Sequence, residues 1–358
     1  MLLSRRDILH GAASLTCASL TSPAFISSSA TAHVGEVASK LGPFKWISGQ
    51  LNAGHDQITA RLARRLFEQE WTGVPVEEAG SAKAALRLIS EGGNGLVCCS
   101  ARALLCAVRD GLPVVSIAEL ARGCEYLILV RTADDGAQWL PDFRSGKLLA
   151  TNLQQVQLWR ELKLAYHWDA ATIVERQVEP DIALAVGAAD AILATPLEVA
   201  QNKICGHRFA TMRLADEDSL PAQVLAMPCG AISDRDTVAR TRQILLTLNA
   251  AAAYAVERSA EAAALVRSEP QLAHYSQSLL AMQFEALSRM QRASFGFHSA
   301  FGRHHRAGWR QLTARLATSD HRLNRTFVPY TNSLLPWGSG GYLAQALRNA
   351  DGITPARA

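Results

Sequence analysis

From Phe44 onward the chain repeats one unit, a short apolar run followed by a helical pattern, in two blocks parted by the polar break Thr132-Ala133-Asp134-Asp135-Gly136. Apolar runs too short for helices and bounded by turn residues read as buried strands, and strands alternating with helices require a mostly parallel sheet covered on both faces. Residues 44–48 open the first block; Ile58, Leu62 and Leu66 then recur at four-residue spacing, with Arg61, Arg64 and Arg65 on the other face. Residues 74–79 form a second strand. Ser81 is placed to cap a helix that buries Ala82, Ala85, Leu86 and Ile89 and closes at Gly92-Gly93. Residues 96–99 form a third strand, Ser100 caps a helix through Val108, Gly111 stops it, and residues 113–117 start another strand that residues 124–131 extend within the same sheet.

The same grammar then restarts. Residues 147–151 form a strand, 152–154 a turn, and Val156, Trp159, Leu162 and Tyr166 a helical stripe. Residues 172–178 form the next strand, Pro180 opens a short helix to Val186, and residues 191–194 form a buried strand ending at Thr195-Pro196. Residues 223–227 make a return strand, Ser233 or Asp234 caps a long helix carrying Val238, Leu245, Leu248, Ala252 and Val256, and residues 261–314 are mostly helical. The expected class is α/β with two lobes, each a mixed, mostly parallel sheet flanked by helices. The first lobe is expected from residues 33–133 plus 227–345, the second from 134–226, and a tail from 346–358.

The N-terminus has a different character. Ser4-Arg5-Arg6-Asp7-Ile8-Leu9, an apolar run over residues 8–20 and the small-x-small site Ala30-Thr31-Ala32 read as an export signal removed near Ala32, which directs the chain to the periplasm. Ser4-Arg5-Arg6-x-x-Leu9 resembles the bacterial twin-arginine signal, with Ile8 and His10 where Phe and Lys are usual. Ordinary secretion through the Sec machinery is the alternative. A formal charge of +4 spread over 358 residues, without a basic stripe, argues against a nucleic-acid partner. Beyond the signal no stretch of eighteen apolar residues suggests a membrane span. Cys98, Cys99, Cys106, Cys124, Cys205 and Cys229 show no zinc-ligand spacing, so buried thiols or one disulfide are expected, and no metal or other cofactor.

Several stretches carry a family likeness. Gly80-Ser81-Ala82-Lys83-Ala84-Ala85-Leu86, Gly111-Leu112-Pro113-Val114-Val115 ahead of Arg122-Gly123, Ser145-Gly146-Lys147-Leu148-Leu149-Ala150-Thr151 and Gly187-Ala188-Ala189-Asp190-Ala191 stand in a shared order and spacing. In these the chain resembles the periplasmic substrate-binding proteins of ABC importers, the nitrate/sulfonate/taurine group and its relatives that bind thiamine pyrimidine precursors, over roughly residues 44–265. Asn52-Ala53-Gly54-His55 is similar to an Asn-x-x-His segment of the thiamine-precursor relatives; Gly92-Gly93-Asn94-Gly95 departs from the family, where an acidic residue is usual. The resemblance implies a two-lobed periplasmic binding protein of type 2, a monomer. It implies a small anionic or heteroaromatic solute, ABC permease subunits as partners and no catalysis.

In open α/β sheets ligands bind beyond the carboxyl ends of strands, where helix N-termini present unpaired N–H groups. The loops so placed are Asn52 to His55, Gly80-Ser81 and Cys99-Ser100 in the first lobe, and Asn152 to Gln154 and Thr195-Pro196 in the second. Each polar residue there is a ligand contact or an ordinary helix cap. Arg122 offers a charged fork to a ligand or holds the lobe surface, and closure is expected about linkers near Asp134 and Leu225. Two other classes compete: a ligand-sensing adaptor for a membrane receptor, and a pyrimidine-synthase-like enzyme, to which Cys98-Cys99 is the pointer. No G-x-S-x-G, G-x-x-x-x-G-K-[ST] or H-E-x-x-H motif supports an enzyme. His298, His304 and His305 lie among arginines, which disfavours a metal and favours a solvated segment, while Trp309, Tyr330 and Trp337 either dress the cleft or fasten the tail to the first lobe.

Overall fold

The structure, a computed structural model, describes residues 44–49, 55–123, 126–131, 145–150, 153–175, 180–195, 198–199, 209–212, 220–295, 301–319 and 329–335. The export segment, Asn52, Cys124, the 132–136 break, Asn152, Cys205, His298, Trp337 and the 346–358 tail lie outside the described residues.

The chain runs β1 (Lys45–Ser48), α1 (His55–Leu66), β2 (Val76–Glu78), α2 (Ala82–Ser90), β3 (Gly95–Ser100), α3 (Ala101–Arg109) and β4 (Val114–Arg122). It continues through β5 (Leu127–Arg131), β6 (Lys147–Ala150), α4 (Leu153–Tyr166), β7 (Thr172–Glu175), α5 (Pro180–Ala185), β8 (Ala191–Ala194) and β9 (Phe209–Met212). It returns as β10 (Pro221–Pro228), followed by α6 (Arg235–Glu257), α7 (Ser259–Arg267), α8 (Gln277–Phe295) and α9 (Arg306–Ser319).

Two sheets result, ordered β2-β1-β3-β10-β4 and β7-β6-β8-β5-β9. In the first, alternate residues of one strand feed opposite cores, as the period-two pleat dictates. Trp46 joins Ile58 and Leu62 of α1 and the buried faces of α6, α7 and α8, while Ile47 joins Leu86 of α2, Leu104 of α3 and Trp309, Leu312 and Leu316 of α9. The second sheet is covered by Val156, Trp159 and Leu162 of α4 on one side and by Ala183 and Leu184 of α5 on the other. Each lobe therefore has its own cores.

The crossing between lobes differs from expectation. β5 pairs with β8 and β9 in the second sheet instead of extending the first. Gly123, at φ +101°, turns the chain out of β4 in a conformation that disfavours side-chain-bearing residues, and its N–H donates to Leu220 O at 2.9 Å, so outgoing and returning strands are stapled there. Leu225, expected beside a linker, is buried mid-strand opposite Cys98 and Ala118.

Arg61 also departs from the sequence reading. It is 2% exposed, with Nη2 donating to Glu78 Oε1 at 3.2 Å and Nη1 to Glu269 Oε2 at 3.3 Å and Gln271 Oε1 at 3.2 Å. The loop before α8 folds over α1 and converts an arginine of the outer face into the centre of an ion network.

The lobes meet side by side along α3 and α4. Arg102 Nε donates to Glu161 Oε2 at 2.8 Å, and Gln157 Nε2 lies 4.0 Å from Cys106 Sγ. Rising numbers on α3 face falling numbers on α4, so the two helices run antiparallel, and α4 also touches α9.

Candidate functional site

β1, β2 and β3 are mutually parallel, and β4, antiparallel to β10, shares their direction. Their carboxyl ends therefore lie on one edge. The register sets Ser48 beside both Glu78 and Cys98, Ser100 beside Gln223, and Arg122 beside Pro221. In the second sheet β6, β7 and β8 are parallel and end at Ala150, Glu175 and Ala194. The described members of the predicted loops thus fall into two sets, one on each lobe.

Within the first set, Ser81 caps α2 by accepting from Ala84 N at 3.2 Å, and Ser100 caps α3 by accepting from Ala103 N at 3.1 Å. Capping uses an acceptor lone pair of each hydroxyl and leaves its proton to donate outward, beside first-turn N–H groups that carry the positive end of the helix. Gly80 is exposed, and a side chain there would meet nothing within 4 Å. Gly49 is the opposite case. An added Cβ would stand 2.8 Å from Ala82 Cα, because β1 ends tight against the first turn of α2. The signal for this glycine in the sequence is its place directly after the strand over residues 44–48.

Other predicted residues are occupied differently. Cys99 is buried in the core beneath α2 and α3, since it points to the same side of β3 as Val97. Thr195 forms a capping box with Glu198: its N–H and hydroxyl donate to Glu198 Oε2 at 2.5 and 2.9 Å, and Glu198 N donates back to Thr195 Oγ1 at 3.3 Å. A carboxylate therefore stands at that end of the second set. His55 opens α1 and Gln154 lies in the first turn of α4; where their side chains go is outside the described residues, as are Asn52 and Asn152. Arg122 donates from Nε to Glu119 and from Nη2 to Arg303 O at 3.1 Å.

Arg122 leads to a cluster that the sequence did not announce. Glu119, wholly buried on β4, also accepts from Trp309 Nε1 at 3.0 Å and His305 N at 3.2 Å. Burial raises its carboxyl pKa, and the Arg122 guanidinium opposes that shift. Three residues back on the same strand, Ser116 Oγ lies 2.6 Å from His304 Nε2, while His304 Nδ1 lies 2.8 Å from Asn332 Oδ1. The amide oxygen fixes the proton on Nδ1, so Nε2 accepts from the serine. His304 stacks on Tyr330 at 4.6 Å between ring centroids and 12° between planes. Backbone bonds Ser116 N to Pro329 O, Thr331 N to Ser116 O and Glu119 N to Gly302 O strap both C-terminal stretches to the exposed edge of β4.

Trp309 and Tyr330 fasten the C-terminal segment to the first lobe. His304, expected in a solvated segment, is buried, because the β4 edge offers it a hydroxyl and an aromatic wall. The serine–imidazole–amide chain has the connectivity of a nucleophile triad but no access, since Ser116 is 0% exposed. Among the described residues no group of three His, Cys, Asp or Glu side chains is arranged for a metal ion. No described helix is long and apolar enough to cross a membrane.

Burial lowers the His304 pKa from 6.5 to about 3. Between those values the unfolded chain binds the proton that the folded one refuses, so stability present above pH 6.5 is lost as pH falls. The His304 share of that loss is about 2 kcal/mol between pH 7 and pH 5. His305 shifts in the same direction, by burial and Arg122, while the raised carboxyl pKa of Glu119 contributes stability that grows as pH falls, in the opposite sense. Urea unfolding at the two pH values, compared with His304→Gln, isolates the contribution; equal pH dependence in both proteins would refute it.

No protein-family model matches this sequence, and no curated protein matches it. Solved structures do. The periplasmic aliphatic sulphonate binding protein SsuA from Escherichia coli superposes with a TM-score of 0.58 at 13% identity, over 89% of this chain and 94% of that one. The alkanesulfonate-binding protein SsuA from Xanthomonas axonopodis pv. citri, solved bound to MOPS, gives 0.55 at 15% identity over 81% and 96%. The ligand binding component of an ABC-type import system from Staphylococcus aureus, solved with zinc bound, gives 0.53 at 10% identity over 88% and 100%. The fold is that of the periplasmic binding proteins. Its two mixed sheets, with a return strand inside the first, are the arrangement described above.

Proposed function

We propose that the chain is an exported solute-binding protein of an ABC importer, which captures a small anionic or heteroaromatic solute between its lobes and delivers it to a permease. Sulfonates are the first class to test, with nitrate and thiamine-pyrimidine-like rings next. The observation that carries this reading is the pairing of Gly80-Ser81 and Ser100 on one edge, each heading a capped helix whose N-terminus favours negative charge. Structural likeness to sulfonate-binding proteins supports the solute class. The paired arginines Arg5-Arg6 and Ala30-Thr31-Ala32 support export to the periplasm.

Thermal-shift and calorimetric titration with alkanesulfonates, taurine, nitrate and aminopyrimidines tests the proposal. One class should stabilise the protein by about 2.7 kcal/mol at a hundredfold excess over Kd and be recovered unchanged. Ser81→Asp and Ser100→Asp keep a good cap but place a negative charge in the path of an anion, so each should weaken binding about tenfold or more without loss of stability. Conversion of the solute to product, or no stabilisation by any of the four classes, overturns the reading.

A further inference from the structure

The seam between the lobes holds a charge pair, one member on each lobe. α4 buries two faces. Val156, Trp159 and Leu162 cover its own sheet, while Glu161 points across the seam to Arg102 of the other lobe. The carboxylate side chain is 4% exposed and the guanidinium side chain 18% exposed, so separating the lobes returns both to water. Such a pair adds little net stability over apolar packing, yet it is unforgiving of misplacement, and its best-attested use is to fix one register between surfaces. The seat into which α4 fits has a second wall, α9, anchored by the buried Trp309 and by the Glu119 cluster.

We propose that Arg102 and Glu161 form a latch that holds the two lobes together before any solute arrives, with α3 and α9 as the seat that receives α4. Solute entry then waits on opening of the latch, and apparent affinity is reduced by the closed fraction. The latch rests on the two-lobed fold alone, and its effect on solute entry rests on the proposed function. Failure to find a solute leaves the latch intact, and its own failure leaves solute binding intact.

Cys106, half-buried at the seam beside Gln157, reports on opening, and the exposed Cys229 serves as the internal control. The full exported chain, without added solute, is treated with maleimide, and each site is followed by peptide mass spectrometry, alongside small-angle X-ray scattering. In the wild type Cys106 should react more slowly than Cys229. Glu161→Gln and Arg102→Met should each accelerate Cys106 several-fold with Cys229 unchanged, and increase the radius of gyration. The charge-reversed double variant Arg102→Glu/Glu161→Arg should restore slow reaction. Single variants that match the wild type in both readouts overturn the proposal. So do variants in which both cysteines accelerate together, since the pair would then hold up the fold and not the seam.

Discussion

Replacing Trp309 by alanine should cost about 3–5 kcal/mol of unfolding free energy, the range for deleting a fully buried large aromatic. The indole is 0% exposed, packs with Leu312, Leu316, Val97 and Leu220, and stands 5.6 Å from the Tyr330 ring. Its Nε1 also donates to Glu119 Oε2, so alanine removes a bond from a buried carboxylate as well as opening a cavity. Trp309→Phe keeps most of the packing and loses the donor, with an expected cost of about 1–3 kcal/mol. Urea denaturation of the two variants measures both terms. A loss below about 1 kcal/mol for Trp309→Ala would mean that α9 is an appendage and not part of the first lobe.

Arg61→Ala is the second large loss, about 3 kcal/mol, the lower end of what breaking a buried ion pair costs. Among the described residues Glu269, nearly buried, would keep Arg65 as its remaining ion partner, whose Nε is 2.9 Å from Oε1. Glu78 is one-third exposed and can turn to water, so the penalty falls mainly on Glu269. Arg61→Met with Glu269→Leu removes both ends of the pair, keeps similar volume, and should recover most of the loss. If the double variant is no more stable than Arg61→Ala, the cost lies in packing around the arginine stem and the ion-network account fails.

Local physics explains what the sequence made legible. Ser81, Ser100 and Asp234 cap the helices assigned to them because a hydroxyl or carboxylate before an apolar-periodic run has one dominant use. The buried strand 191–194 and the return strand near 223–227 were readable from apolar runs between turn residues. β9, Phe-Ala-Thr-Met, was not anticipated, since four residues with no clear alternation carry no strand signature. Arg61 sat correctly on the outer side of α1, but nothing within a helical turn says that residues 269–271 will cover it. The Ser116–His304 bond joins positions 188 apart in sequence, and pairing at that distance leaves no mark in composition or spacing. The candidate site was legible as a set of loops. How each polar group is spent inside them, as with Glu198 at Thr195, depended on the folded geometry.

The place of β10 has a consequence for how the molecule is made. β5 to β9 all lie between residues 127 and 212, so the second sheet is complete in sequence before β10 is synthesised. The first sheet is not, because residues 221–228 fill the gap between β3 and β4, and, among the described residues, the free edge of β4 is bridged by Gly302 and Tyr330, later still in the chain. As the chain emerges, β3 and β4 wait with unpaired strand edges, the kind of surface that invites aggregation in a folding intermediate. The lobe that leaves the ribosome first is therefore the one finished last.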